Sequence, residues 1–226
     1  MESKTNTTVP SWDKQVHALK EQMKNAAPAE ILSVFSKEAE DLGLSDVAKN
    51  ALKPGRVAPA FTLPNANGNL ISLVDALEKG SVVLTFYRGL WCPYCNLQLK
   101  LYQEILPQIK KLNATLIAIS PNIPDHSLSM KDKHELEYEV LSDSDNHVAR
   151  QYKIVFTQAD HVAEVGKKLG ADISTFNGTN KNEIPVPATF IIDKGGIIRF
   201  TFAQGDYTQR IEPQQVLDVL GYLNSK

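Results

Sequence analysis

An apolar run, Ser81-Val82-Val83-Leu84-Thr85-Phe86-Tyr87, ends at Arg88-Gly89 and gives way to Cys92-Pro93-Tyr94-Cys95. The run is β-branched and aromatic and holds no breaker, so it reads as a buried strand. Beyond the cysteines apolar residues recur at Leu97, Leu101 and Ile105, with Leu99, Tyr102, Leu106 and Ile109 beside them. That spacing predicts a helix with one broad apolar face. A second apolar run, Ala114 to Ser120, follows. Strand, helix and strand in this order predict a βαβ unit with parallel strands and a right-handed crossover.

Cys92 and Cys95 are the only cysteines of the chain and sit at the strand-to-helix junction. Pro93 suits the first helical position, where a missing N–H costs nothing, and Cys92 is then the N-cap. A thiolate there faces unpaired backbone N–H groups and the positive end of the helix dipole, which lower a thiol pKa. Arg88 adds positive charge if its side chain turns back. Cys95 lies one turn further in, within disulfide reach of Cys92. The greater exposure expected at the helix start makes Cys92 the nucleophile and Cys95 the resolving thiol. A structural disulfide around so small a loop constrains little of the unfolded chain. A zinc site needs a second ligand pair, and His17, His126, His134, His147 and His161 are scattered. The pair therefore points to redox chemistry, with no metal and no organic cofactor.

A chain of 226 residues can bury a full core as one domain with an appendage. Its net charge of −2 gives no electrostatic case for nucleic acid or an acidic membrane surface. No apolar run approaches a membrane span, and the first residues lack the apolar core of a secretory signal. The cytoplasm is the default compartment, where a cysteine pair is catalytic more often than structural.

Residues 1 to 11 read as disordered. Ser11 to Asn50 is helix-like, with breaks expected near Ala26-Ala27-Pro28 and at Gly43. Ile31, Leu32, Phe35 and Leu42 form an apolar stripe, which suits either packing on the main domain or a dimerisation arm. The organisation expected is an N-terminal helical extension over 1–53 and a main domain over 54–226. In that domain a hairpin spans Phe61 to Leu73, and helices cover Asp125–Glu137 and Asp145–Tyr152 around a strand at Tyr138–Leu141. Residues 153 to 180 are polar and mixed, with a helix at Ala159–Leu169 and a loop at Phe176–Asn180. A hairpin of Ala188–Asp193 with Ile197–Ala203 and a closing helix, Pro213–Leu223, complete the pattern.

A CxxC at a strand-to-helix junction, followed by βαβ and a terminal ββα, resembles the thioredoxin fold: an α/β fold with a central mixed sheet flanked by helices. Ala58-Pro59-Ala60-Phe61-Thr62-Leu63, Val140-Leu141-Ser142-Asp143 and Ala188-Thr189-Phe190-Ile191-Ile192-Asp193 narrow the likeness. They resemble the peroxiredoxin-like branch of the alkyl hydroperoxide reductase / thiol-specific antioxidant family. Phe86-Tyr87-Arg88-Gly89-x-Trp91-Cys92-Pro93-x-Cys95 and Asp206-Tyr207-Thr208-x-Arg210 resemble a subgroup of it.

Two positions depart from that family. Its members carry a Thr three residues before the peroxide-attacking Cys; here Gly89 stands three before Cys92, and Cys92 three before Cys95. That alignment would put Cys95 in the attacking place, whereas exposure at the helix start favours Cys92, which is kept as the nucleophile. The family's members also carry an Arg just before the ATFIID-like strand, where this chain has Pro187. A Pro there resembles thioredoxin, in which it is cis and faces the CxxC. The hairpin ending near Asp206 returns to the thiols, so Tyr207 or Arg210 is expected to supply the missing charge or hydrogen bond. No acid occupies the Thr85-Phe86 stretch, so the buried-acid relay of thioredoxins is absent.

The resemblance implies a thiol-dependent peroxidase that reduces hydroperoxides through a Cys92–Cys95 dithiol/disulfide. Cys92, Cys95, Arg88, Trp91, Pro93, Pro187, Tyr207 and Arg210 are the candidate site residues. The implied partners are a hydroperoxide and a thioredoxin- or glutathione-type reductant; a homodimer fits the N-terminal stripe. A protein thiol-disulfide oxidoreductase and a redox-sensing interaction module remain open alternatives.

Overall fold

The computed structural model describes residues 8–225. Residues 1–7 of the stretch expected to be disordered lie outside them; in the remainder Val9 packs against the core and Ser11 caps the first helix, so that part is ordered. Two helices open the chain, α1 (Trp12–Ala26) and α2 (Ala29–Leu44). Ala27 is extended and Pro28 is the N-cap of α2, because the residue before a proline is pushed out of the helical region. The break expected at Gly43 does not occur, and α2 runs through it to Leu44. The missing side chain instead permits close approach: a Cβ on Gly43 would lie 3.3 Å from Asp206 Cβ.

A short hairpin follows, β1 (Thr62–Pro64) with β2 (Leu70–Ser72), then α3 (Leu73–Lys79). The central unit is β3 (Ser81–Phe86), α4 (Pro93–Glu104), α5 (Leu106–Lys111) and β4 (Ala114–Ser120). β3 and β4 are parallel, in register from Ser81↔Ala114 to Phe86↔Ile119. Next come α6 (Pro124–Lys133), β5 (Glu139–Ser142) and α7 (His147–Gln151).

Residues 153 to 180 carry more order than their composition suggests. β6 (Val155–Thr157), α8 (Asp160–Lys168) and α9 (Ile173–Asn177) lead to β7 (Glu183–Pro185), which pairs antiparallel with β6 and closes the excursion. Phe176 and Asn177, expected in a loop, end α9, and Gly178 stops it with a φ of 65°. The excursion packs on the N-terminal arm, α8 against α2. The chain ends with β8 (Ala188–Ile192), β9 (Ile198–Ala203) and α10 (Pro213–Asn224).

The central sheet is mixed, in the order β5-β4-β3-β8-β9, with β8 antiparallel to β3. Alternation along β3 sends Val82, Leu84 and Phe86 into one apolar cluster with Ile117, Phe190 and Ile192. Val83 and Tyr87 join the other, with Leu99 of α4 and Val216 of α10. Both faces are covered, which is why the strand is an uninterrupted apolar run. Among the described residues no helix is long and apolar enough to cross a membrane.

The cis bond expected at Pro187 is not formed; the described backbone holds no cis peptide. β7 runs almost directly into β8, and the Val186 N–H is held by Ile154 O at 2.6 Å. The chain passes here without the tight turn that a cis proline serves.

Candidate active site

The reactive loop leaves the carboxyl end of β3, and α4 begins with Cys92 as N-cap and Pro93 in its first turn. Asn96 fixes the loop from below, its Nδ2 donating to Leu90 O at 2.7 Å and to Cys92 O at 2.8 Å. His134 Nε2 lies 2.7 Å from Asn96 Oδ1. Asn122 fixes it from the side, Oδ1 accepting from Leu90 N–H at 2.9 Å while Nδ2 donates to Asn177. Gly89 is needed because a Cβ there would lie 2.5 Å from the Trp91 indole nitrogen.

Both sulfurs are buried: Cys92 is 1 % exposed and Cys95 0 %. The exposure expected of Cys92 at the helix start is therefore not found, and accessibility does not separate the two thiols. The electrostatic expectation for Cys92 is corrected, because the groups that stabilise an anion converge on Cys95. Arg88 N–H donates to Cys95 Sγ at 3.4 Å, and Arg210 Nη2 lies 3.7 Å from the same atom. Burial pushes the Cys95 thiol up, but a proton shared from Cys92, the Arg210 charge, and the amide and charge of Arg88 together hold it below a free thiol. Burial pushes Cys92 up, donation to Cys95 and the anion beside it push further, and Arg88 and Arg210 offset this only in part. The N-cap position does not rescue Cys92, since its side chain makes no capping hydrogen bond.

The segment after β9 returns to the thiols, as the topology requires. Arg210 is buried and oriented on every side. Nε donates to Gln98 Oε1 at 2.9 Å, Nη1 donates to Tyr207 O and Gln209 O, and the guanidinium carbon lies 5.7 Å from the Trp12 ring centroid. Gln98 continues the network through Tyr102 to Thr189, which Thr85 contacts at 3.2 Å. Arg88 turns back over the aromatic rings, 3.8 Å from the Tyr207 centroid and 4.8 Å from that of Trp91. Tyr207 does not bond a sulfur; its hydroxyl donates to Phe35 O at 2.8 Å. Arg88, Trp91, Tyr207 and Arg210 are thus gathered around Cys92 and Cys95. Pro187 is buried in the turn-free passage just before β8.

The sequence reading missed the contribution of the N-terminal arm. Glu38 of α2 is 9 % exposed, and its Oε2 lies 3.5 Å from Arg88 Nη2. Its Oε1 accepts from Gln158 Nε2 at 2.7 Å. A buried acid does therefore stand in this site, but it comes from α2 and meets an arginine. α1 is fixed in turn by Glu212, whose carboxylate accepts from the Trp12 and Asp13 N–H groups at 2.8 and 2.9 Å. The only hint in the sequence is Glu38 itself, five residues before Gly43 on an amphipathic helix.

Between the arm and the thiols lies a cavity of about 640 Å³. Leu32, Phe35 and Ala39 of α2 form one wall; Trp91, Pro93 and Tyr94 form the wall facing the cysteines. Tyr207 closes the inner end, its ring 6.2 Å from that of Tyr94.

The AhpC/TSA family matches residues 54–201. A putative peroxiredoxin bcp of Coxiella burnetii is 30 % identical over 148 residues, covering 66 % of this chain and 86 % of that protein. Peroxiredoxin Bcp of Escherichia coli is 30 % identical over 105 residues, covering 46 % of this chain and 67 % of its own length. Among solved structures, peroxidoxin BcpB from Mycobacterium tuberculosis superposes with a TM-score of 0.60 at 20 % identity, covering 76 % of this chain and 98 % of that one; this likeness is one of fold. The family match includes Arg88, Cys92 and Cys95 and ends before Tyr207 and Arg210. With a buried dithiol at the carboxyl end of the central strand of a thioredoxin-like sheet, and more than half of its length matched, the chain belongs to the AhpC/TSA family.

Proposed function

We infer that this chain is a thiol-dependent peroxidase in which Cys95 attacks the hydroperoxide and Cys92 resolves. This reverses the order that helix-start exposure suggests, and agrees with the family register that puts Cys95 in the attacking place. The observation that carries it is the convergence of Arg88 N–H and Arg210 Nη2 on Cys95 Sγ. Hydrogen bonds and cationic charge favour the thiolate, the reactive form.

The Cys95 thiolate attacks one peroxide oxygen; an S–O bond forms, the O–O bond breaks, and an alkoxide or hydroxide leaves. Cys92, still protonated, supplies a proton to the leaving oxygen. Its sulfur then displaces hydroxide from the Cys95 sulfenic acid, which takes up a proton and departs as water while the disulfide forms. The net change is ROOH plus two thiols to ROH, water and a disulfide. The N-cap and the third helical residue are close enough for that bond without unwinding α4. A dithiol donor of thioredoxin type, or glutathione, restores the thiols by exchange. Such donors work in a reducing compartment, which suits the cytoplasm. The apolar cavity beside Trp91 and Tyr94 suits the organic group of an alkyl hydroperoxide.

Serine variants test the order of events. In C92S, stopped-flow mixing with hydrogen peroxide still oxidises Cys95, the sulfenic acid is trapped by dimedone, and turnover stops after one event. In C95S, peroxide consumption falls to the rate of a free thiol. Fast oxidation in C95S with none in C92S would overturn the assignment.

A further inference from the structure

Arg88 is 2 % exposed, and its Nε and Nη2 atoms make no hydrogen bond. A buried guanidinium in that condition is costly unless a counter-charge stands beside it. Among the described residues its one ion-pair partner is Glu38. Glu38 lies outside the residues matched by the family, on a helix whose seat is specified in detail. A Cβ on Gly205 would fall 1.9 Å from Leu42 O, so the arm and the segment before Tyr207 meet backbone to backbone. Tyr207 is tied to Phe35 O, one turn before Glu38. Gln158, from the excursion between α7 and β7, holds the second carboxylate oxygen.

We propose that Glu38 is a positioning residue of the thiol site, holding the Arg88 guanidinium against Tyr207 and Trp91 where its charge favours the thiolate. The titratable groups acting on Arg88 are Glu38 from α2, Tyr207 from the segment after β9, and Cys92 and Cys95 at the start of α4. The charges acting on the two sulfurs are those of Arg88, Arg210 and each other. Glu38 therefore works through the place it gives Arg88. On this view the arm supplies part of the site and is not an inert cover.

The test is a thiolate titration of the full reduced chain, read at 240 nm against the disulfide form and without peroxide. It rests on the site's geometry; only the rate of turnover rests on the peroxidase reading. In Glu38→Gln the lower thiol pKa rises by about one unit, a tenfold loss of thiolate on the acid side of the transition. Arg88→Gln gives a rise at least as large, and the double variant E38Q/R88Q adds nothing to R88Q, as for two residues acting through one group. An unchanged or lowered pKa in a folded E38Q protein, or additive effects in the double variant, would overturn the proposal. If E38Q does not fold, Gln158→Ala frees the second carboxylate oxygen and gives a smaller rise; no rise there overturns it equally. A peroxide rate no faster than a free thiol, with the titration shifts intact, would end the peroxidase reading and leave Glu38's role standing.

Discussion

At the scale of single residues, the site turns on which sulfur receives the donors. The residue types at Cys92, Pro93 and Cys95 state the N-cap and the helix start, and the structure has both. They do not state where the anion sits, because that depends on groups far away in the chain. Arg210 is 115 positions from Cys95 and reaches it only because β9 returns to the same end of the sheet. Its guanidinium is held by Gln98 and two carbonyls, so its charge is fixed in place. Cys95 has a lowered thiol pKa, so its thiolate, and on the proposal that Cys95 attacks also the peroxide rate, persists above that pKa and is lost as pH falls through it. Wild-type rates with hydrogen peroxide should therefore be flat through neutral pH and fall only on the acid side. In Arg210→Met the inflection moves up by about one unit or more, and the rate well to the acid side of it drops about tenfold. A pH profile of the second-order rate constant checks this; an inflection that stays in place removes Arg210 from the argument.

At the scale of elements, the apolar strands and the βαβ unit were legible because their patterns are local: β3, β4 and β8 are buried runs and α4 repeats at helical spacing. The seat of α2 was not legible, because it is written in two glycines 162 positions apart, Gly43 and Gly205. Gly43 read alone is a helix breaker, whereas beside Asp206 it is a clearance. Gly205→Ala forces a methyl group into Leu42 O and should destabilise the protein by about 1–3 kcal/mol. Gly221→Ala, in α10 with nothing within 4 Å of the added carbon, should stabilise it by up to about 1 kcal/mol. Urea midpoints of the two variants measure both effects. Equal midpoints would mean that the arm lifts from the site at little cost.

At the scale of the whole molecule, four parts distant in sequence, the segment carrying Tyr207 among them, enclose one space beside the thiols. The N-terminal arm brings Leu32 and Phe35, the reactive loop brings Trp91 and Tyr94, and the excursion brings Leu169. The apolar stripe on α2 and the mixed composition of residues 153–180 each left their partner unnamed; the enclosure exists only when both close over the loop. Hydrogen peroxide needs no such space, whereas the organic group of a bulky hydroperoxide does, and its transfer from water contributes binding in proportion to the apolar area covered. Leu32→Trp occupies the cavity and leaves Cys92, Cys95, Arg88 and Arg210 untouched. Its kcat/KM for cumene hydroperoxide should fall about tenfold, the loss of about 1.4 kcal/mol of transition-state binding. Its rate with hydrogen peroxide should stay at the wild-type value. Equal losses for both peroxides would mean that the substitution disturbs the thiols. No loss for either would mean that organic hydroperoxides reach Cys95 by another path and that the arm leaves substrate size unselected.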